Sequence, residues 1–127
     1  MPKLDAIGIT VKDMSAALSF YRLLGLDFPE ETGGEDHVEA SLPSGLRVML
    51  DTEELVKGFV KDWVEPVGQR IGMAFLCDSP AEVDSMYQKV IDAGFAGKTA
   101  PWDAFWGQRY AQVLDPDGNA VDLFAAL

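Results

Sequence analysis

One order of elements occurs twice in this chain, and that repeat restricts the fold more than any other feature. Residues 4–11 read as a strand: Ile7, Ile9 and Val11 alternate with Ala6, Gly8 and Thr10, the two-residue period of a half-buried strand. Asp13 stands where a helix N-cap belongs. Met14, Ala17, Leu18, Tyr21 and Leu24 follow at helical spacing, and Gly25 supplies a C-terminal stop. The second half keeps the same order. Residues 71–76 read as a strand, and Ser79-Pro80-Ala81-Glu82 is a capping box with proline at the first helical position. Val83, Met86, Tyr87, Val90 and Ile91 form an apolar stripe that Gly94 closes.

Three strand-like segments follow each helix: 26–29, 36–42 and 46–51, then 95–99, 106–114 and 119–124. Pro43-Ser44-Gly45 turns one pair and Asp115-Pro116-Asp117-Gly118 the other. Gly33-Gly34 reads as a simple turn. Each half is therefore expected to be βαβββ, the first at about residues 1–51 and the second at about 70–127. Residues 52–69 join them, with a short helical look at Leu55, Val56, Phe59 and Val60. The expected class is α+β: one domain, two βαβββ modules forming a curved mixed sheet with a concave cavity, helices on the outer face. A chain of 127 residues suits one domain.

Strand parity assigns the faces. Ile7, Ile9 and Val11, then Ile71, Met73 and Phe75, then Val121 and Leu123 belong on the helix side. The opposite face carries mostly small residues: Ala6, Gly8 and Thr10; Gly72, Ala74 and Leu76; Ala120 and Asp122. Small side chains leave room for a ligand, and they equally permit another subunit to pack there. On the same face parity sets His37, Glu39 and Ser41, with Arg47, Met49 and Asp51. Trp106, Gln108, Tyr110 and Gln112 join them from the segment at 106–114.

The formal net charge of −11 repels phosphate backbones, so nucleic acid is not an expected partner. No stretch reaches the roughly 18 apolar residues of a membrane span, and the N-terminus does not read as a signal peptide. Cys77 is the one cysteine, which rules out an intrachain disulfide and fits a reducing, cytoplasmic setting.

The run Ala6-Ile7-Gly8-Ile9-Thr10-Val11-Lys12-Asp13 with Phe20-Tyr21-Arg22-Leu23-Leu24-Gly25-Leu26 resembles the start of glyoxalase/bleomycin-resistance/dioxygenase (vicinal-oxygen-chelate) proteins. The end resembles them too: Trp106-Gly107-Gln108-Arg109-Tyr110, then Asp115-Pro116-Asp117-Gly118-Asn119-Ala120-Val121-Asp122-Leu123-Phe124. The resemblance covers nearly the whole chain except 52–69. It implies that metal-dependent members would hold an ion at positions filled here by Ala6, Gly72 and Asp122, with a fourth near Met49. Chelate chemistry needs about three or four ligands, and with one histidine in the chain the candidates reduce to His37 and scattered carboxylates, which leaves a hard-metal site on Asp51, Asp122 or Glu39 as the alternative. No metal and no other cofactor is expected, and no catalytic residue is assigned.

The non-metal members that the chain resembles are drug-sequestering proteins of the bleomycin-resistance kind, dimers with clefts shared between subunits. The expectation is accordingly a cytoplasmic, homodimeric, metal-free protein that binds an aromatic natural product or antibiotic. The expected ligand contacts are Trp102, Trp106, Tyr110, Gln108, His37, Met49, Asp122, Trp63 and Phe59. Tryptophan suits planar ligands but is also enriched at protein interfaces, and His37 is equally a plain polar residue on a strand. The alternative is an enzyme, a glyoxalase-type lyase or isomerase with an atypical site. A member with a purely structural role is the third reading.

Overall fold

The computed structural model describes residues 1–30 and 34–127. It comprises two compact units, Met1–Pro66 and Val67–Leu127. Both are α+β, as expected.

In the first unit, β1 (Ala6–Val11) leads into α1 (Met14–Leu23). Asp13 caps that helix, its Oδ1 accepting from the Ala16 amide at 3.1 Å. Such a cap contributes about 0.5–2 kcal/mol relative to alanine. The helix ends at Leu24–Gly25, where Gly25 takes a φ of 93°, a left-handed conformation that favours glycine. After it come β2 (His37–Ser41), β3 (Arg47–Thr52) and α2 (Glu53–Phe59). The sheet order is β1-β3-β2, with β1 parallel and β2 antiparallel to β3. Val38, Ala40, Val48 and Leu50 are buried on one face, and Ala17, Leu18, Phe20 and Tyr21 of α1 are buried with them.

Among the described residues the first unit has three strands where the sequence predicts four. Residues 26–29 are not a strand. Leu26 donates its amide to Tyr21 and Phe28 to Leu26, so the segment folds back on the helix end. The Arg22 guanidinium fastens Pro29 through its carbonyl. Leu26 and Phe28 are buried, which explains their strand-like alternation. Pro29 has no amide to give a ladder. Of the expected Gly33-Gly34 turn, Gly33 lies outside the described residues, and Gly34 has a φ of 76°.

In the second unit the order is β4 (Met73–Leu76), α3 (Pro80–Asp92), β5 (Ala96–Ala104), β6 (Gln108–Leu114) and β7 (Ala120–Ala126). The sheet runs β4-β7-β6-β5. Here the βαβββ expectation is met. Ser79 caps α3 by accepting from the Glu82 amide at 3.1 Å. Glu82 reaches back to the Asp78 amide at 3.3 Å, one residue earlier than a strict capping box. Helix α3 packs on β5, β6 and β7. Its side of the sheet is marked by Gly97, where an added Cβ would strike Tyr87 and Ile91 of the helix. Val113 pairs with Gly97, so Ala111, Val113, Val121, Leu123 and Ala125, all buried, form the helix-facing core.

Some boundaries shift. Ile71, expected inside, precedes β4 and is 79% exposed. Strand β5 continues to Ala104 instead of stopping at Thr99. Pro101 is tolerated because β5 is an edge strand. Register shifts between Gly97 and Thr99 and between Thr99 and Trp102 absorb the irregularity.

Candidate functional site

The open face of the second sheet is fixed by pairing register. Trp102 pairs with Tyr110, and Tyr110 with Phe124. Thr99 pairs with Gln112, Gln112 with Asp122, and Asp122 with Ala74. Since Val113 and Val121 face α3, these neighbours face away from it. Four of the expected ligand contacts come together here: Trp102, Trp106, Tyr110 and Asp122. Gln108 joins them through Trp106.

Trp106 lies in the turn between β5 and β6, not on the strand predicted from residue 106. Gly107, at a φ of 92°, lets the chain reverse directly after it. The Trp106 ring meets Trp102 at 5.5 Å and 89°, Phe105 at 4.9 Å and 87°, and Tyr110 at 5.2 Å and 75°. All three are edge-to-face contacts, the favourable arrangement of ring quadrupoles. The Trp106 indole N–H donates to Gln108 Oε1 at 2.7 Å. The cluster remains open to solvent, with Trp102 39% and Trp106 47% exposed.

Beside the rings runs a polar chain. Thr99 Oγ1 donates to Gln112 Oε1 at 2.9 Å, and Gln112 Nε2 donates to Asp122 Oδ1 at 2.9 Å. Burial, together with the hydrogen bond to Asp122, pushes the Tyr110 phenol up to about 12. Tyr110 is therefore a neutral donor at neutral pH. Asp122 is the only charge among the side chains that the register aligns on this face. The face thus offers ring surface, an amide, a hydroxyl and one carboxylate.

Thr99, Phe105 and Phe124 were not among the expected contacts. Thr99 pairs with Gln112 across a register shift in β5. No periodicity in the sequence marks that.

The remaining expected contacts belong to the first unit. His37 and Met49 lie on the face of its sheet opposite the buried Val38, Val48 and Leu50. His37 Nδ1 is 2.5 Å from Asp51 Oδ1, and its Nε2 is 2.9 Å from Glu39 Oε2. The hydrogen bond to Asp51, then that to Glu39, raises the imidazole pKa. Glu39 is lowered by its bonds to His37 and Arg47, and Arg47 in turn reaches Asp5 at 2.7 Å. Phe59 ends α2 and is 66% exposed. Trp63 lies 5.8 Å beneath the Lys57 ammonium, a cation–π contact that occupies one ring face. The structure thus groups five of the nine expected contacts in the second unit and four in the first.

The positions matched to the family's metal ligands do not fit a chelated ion. Ala6 and Gly72 carry no donor atom. Where Gly72 would carry a Cβ, the Gln69 amide nitrogen lies 3.9 Å away. Met49 offers a thioether that packs toward Gly8. Asp122 Oδ1 already accepts from Gln112. Among the described residues, no three His, Cys, Asp or Glu side chains are grouped to hold an ion.

Comparison with known proteins agrees with this architecture. The family model for the Glyoxalase/Bleomycin resistance protein/Dioxygenase superfamily matches residues 3–123. No curated protein matches the chain. Among solved structures, a glyoxalase/bleomycin resistance protein/dioxygenase family enzyme from Burkholderia phytofirmans PsJN is similar, with 20% identity and a TM-score of 0.84 over 99% of this chain and 100% of that one. A hypothetical protein from S. aureus is 19% identical with a TM-score of 0.82, over 99% and 95%. A glyoxalase-related enzyme from Fulvimarina pelagi is 16% identical with a TM-score of 0.83, over 98% and 88%. At these identities the likeness is one of fold.

Proposed function

Because the chain belongs to the Glyoxalase/Bleomycin resistance protein/Dioxygenase superfamily, we propose that it binds a small aromatic molecule, a natural product or antibiotic, and sequesters it without a metal. The observation that carries this reading is the solvent-open cluster of Trp102, Trp106 and Tyr110 beside Gln112 and Asp122. Each further ring pair formed with a planar guest adds about 0.5–1.5 kcal/mol beyond the area it buries. The Tyr110 hydroxyl and the Gln112 amide supply the few polar groups that orient a guest in a mostly apolar site. Gln108 holds the Trp106 indole from behind by its hydrogen bond. His37, Met49, Phe59 and Trp63 are proposed as further contacts on the first unit.

The setting is proposed to be cytoplasmic and the assembly a homodimer with closed two-fold symmetry. Among the described residues no helix is long and apolar enough to cross a membrane.

Fluorescence titration with a panel of planar aromatic natural products tests the reading. Quenching at micromolar concentration is expected for at least one compound, and Trp106→Ala should weaken it about tenfold or more. A panel that leaves the emission unchanged would sink the binding proposal. Sedimentation equilibrium tests the assembly, and a monomer at tens of micromolar would remove the dimer.

A further inference from the structure

On the first unit, His37 belongs to a row of charges: Asp5, Arg47, Glu39, His37 and Asp51. Strand pairing makes the row. His37 is opposite Asp51, Glu39 opposite Met49, and Ser41 opposite Arg47, so the alternate residues of β2 and β3 share one face. Both ring nitrogens of His37 meet a carboxylate. A carboxylate only accepts, and a neutral imidazole has one donor and one acceptor nitrogen. The two contacts can therefore coexist only while His37 is imidazolium.

When the proton leaves, one contact must open. The neighbours decide which. Glu39 has a second donor in Arg47 Nη1 at 2.8 Å. Among the described residues no other side chain donates to Asp51, and it is the more enclosed, at 20% exposure against 38% for Glu39. Strand β1 brings only Thr10 opposite Asp51, and that residue is uncharged. Asp36, next to His37, accepts from the Thr52 hydroxyl at 2.9 Å. Glu53, the first residue of α2, pairs with Lys57 at 3.7 Å. None of these supplies Asp51 with a replacement cation.

We propose that His37 is a switchable hydrogen-bond acceptor: as imidazolium it bridges Asp51 and Glu39, and as neutral imidazole it keeps Asp51 through Nδ1–H and presents the Nε2 lone pair to a neutral or cationic O–H or N–H donor. Its side chain is 44% exposed, so a guest can reach that nitrogen. Asp51, Glu39 and Asp5 disfavour an anionic guest at the same place. A phenol or a protonated amine fits, as a hydrogen-bond donor to Nε2 that keeps its own proton. The inference rests on the proposed role of His37 as a ligand contact and uses no residue of the second unit.

The chain has a single histidine, so its imidazole resonances report this site alone. Nitrogen-15 NMR titration of the intact protein should give a midpoint above the 6.5 of an unperturbed imidazole. Above that midpoint the proton should reside on Nδ1. In Asp51→Ala it should move to Nε2, whereas Glu39→Gln should lower the midpoint and leave the proton on Nδ1. Phenol should perturb the His37 resonances only above the midpoint, and benzoate at neither pH. A midpoint at or below the reference value, a neutral form protonated on Nε2, or no phenol response at high pH would each overturn the proposal. The wild-type measurement decides alone if either variant fails to fold. Loss of fluorescence quenching by aromatic compounds would bear on the Trp106 face and leave this result standing.

Discussion

The amide of Gln112 on β6 donates to the carboxylate of Asp122 on β7 at 2.9 Å, and the same carboxylate accepts from Tyr110 two residues earlier on β6. One acidic group thus organises two polar side chains on a face otherwise made of rings and small residues.

Replacing Asp122 by Asn should bring the Tyr110 phenol down from about 12 toward the ordinary 10. Burial, the larger cause, remains, so the fall should be partial. In the wild type the folded pKa lies above the unfolded one. Tyr110 therefore contributes stability that is fully present below pH 10 and lost as pH rises through about 12. Ultraviolet titration of tyrosinate, with Tyr110→Phe as the subtraction control, measures both. An Asp122→Asn titration identical to wild type contradicts the assignment.

His37 and Glu39 together predict a plateau in stability. His37 is raised from 6.5, so its contribution is present below pH 6.5 and lost as pH rises through the higher folded value. Glu39 is lowered from 4.5, so its contribution is present above pH 4.5 and lost as pH falls through the lower folded value. Thermal melts of wild type and His37→Ala should differ most between these two limits and converge at alkaline pH. A difference that grows with rising pH contradicts the sign.

Gly97 faces the tip of Tyr87. A Cβ there would overlap the Tyr87 hydroxyl and lie 2.8 Å from its ring carbon Cζ and 3.1 Å from Ile91 Cδ1. Gly97→Ala should cost about 1–3 kcal/mol by denaturant unfolding, and Tyr87→Phe in the same chain should recover part of that loss. Wild-type stability in Gly97→Ala would mean that α3 and β5 can separate freely.

Gln69 behaves as a piece of strand. Its Oε1 accepts from the Ala120 amide at 2.7 Å, and its Nε2 donates to the carbonyls of Ala120 at 3.0 Å and Ile71 at 2.9 Å. These bonds continue the β4–β7 pairing before β4 begins at Met73. Gln69→Ala should cost about 1–2 kcal/mol and speed hydrogen exchange at the Ala120 amide. Unchanged exchange there would show that the side chain is dispensable.

The sequence by itself determined the α+β class, the helix starts at Asp13 and Ser79, the hairpin at Asp115–Gly118 and the parity of β1, β2, β3, β4, β6 and β7. Those features depend on short-range chemistry: cap geometry, turn residues and the alternation of side chains along a strand. It also put Tyr110, Gln112 and Asp122 on one face for the same reason. Only the tertiary structure decided that residues 26–29 fold back on α1 instead of pairing, because Leu26 and Phe28 are buried there while Pro29 has no amide for a ladder. Only the tertiary structure set Thr99 against Gln112, Trp106 in a turn among three rings, and His37 between two carboxylates. Each of those depends on a register shift or a cross-strand neighbour, and a register is fixed by the partner strand, which local sequence does not name.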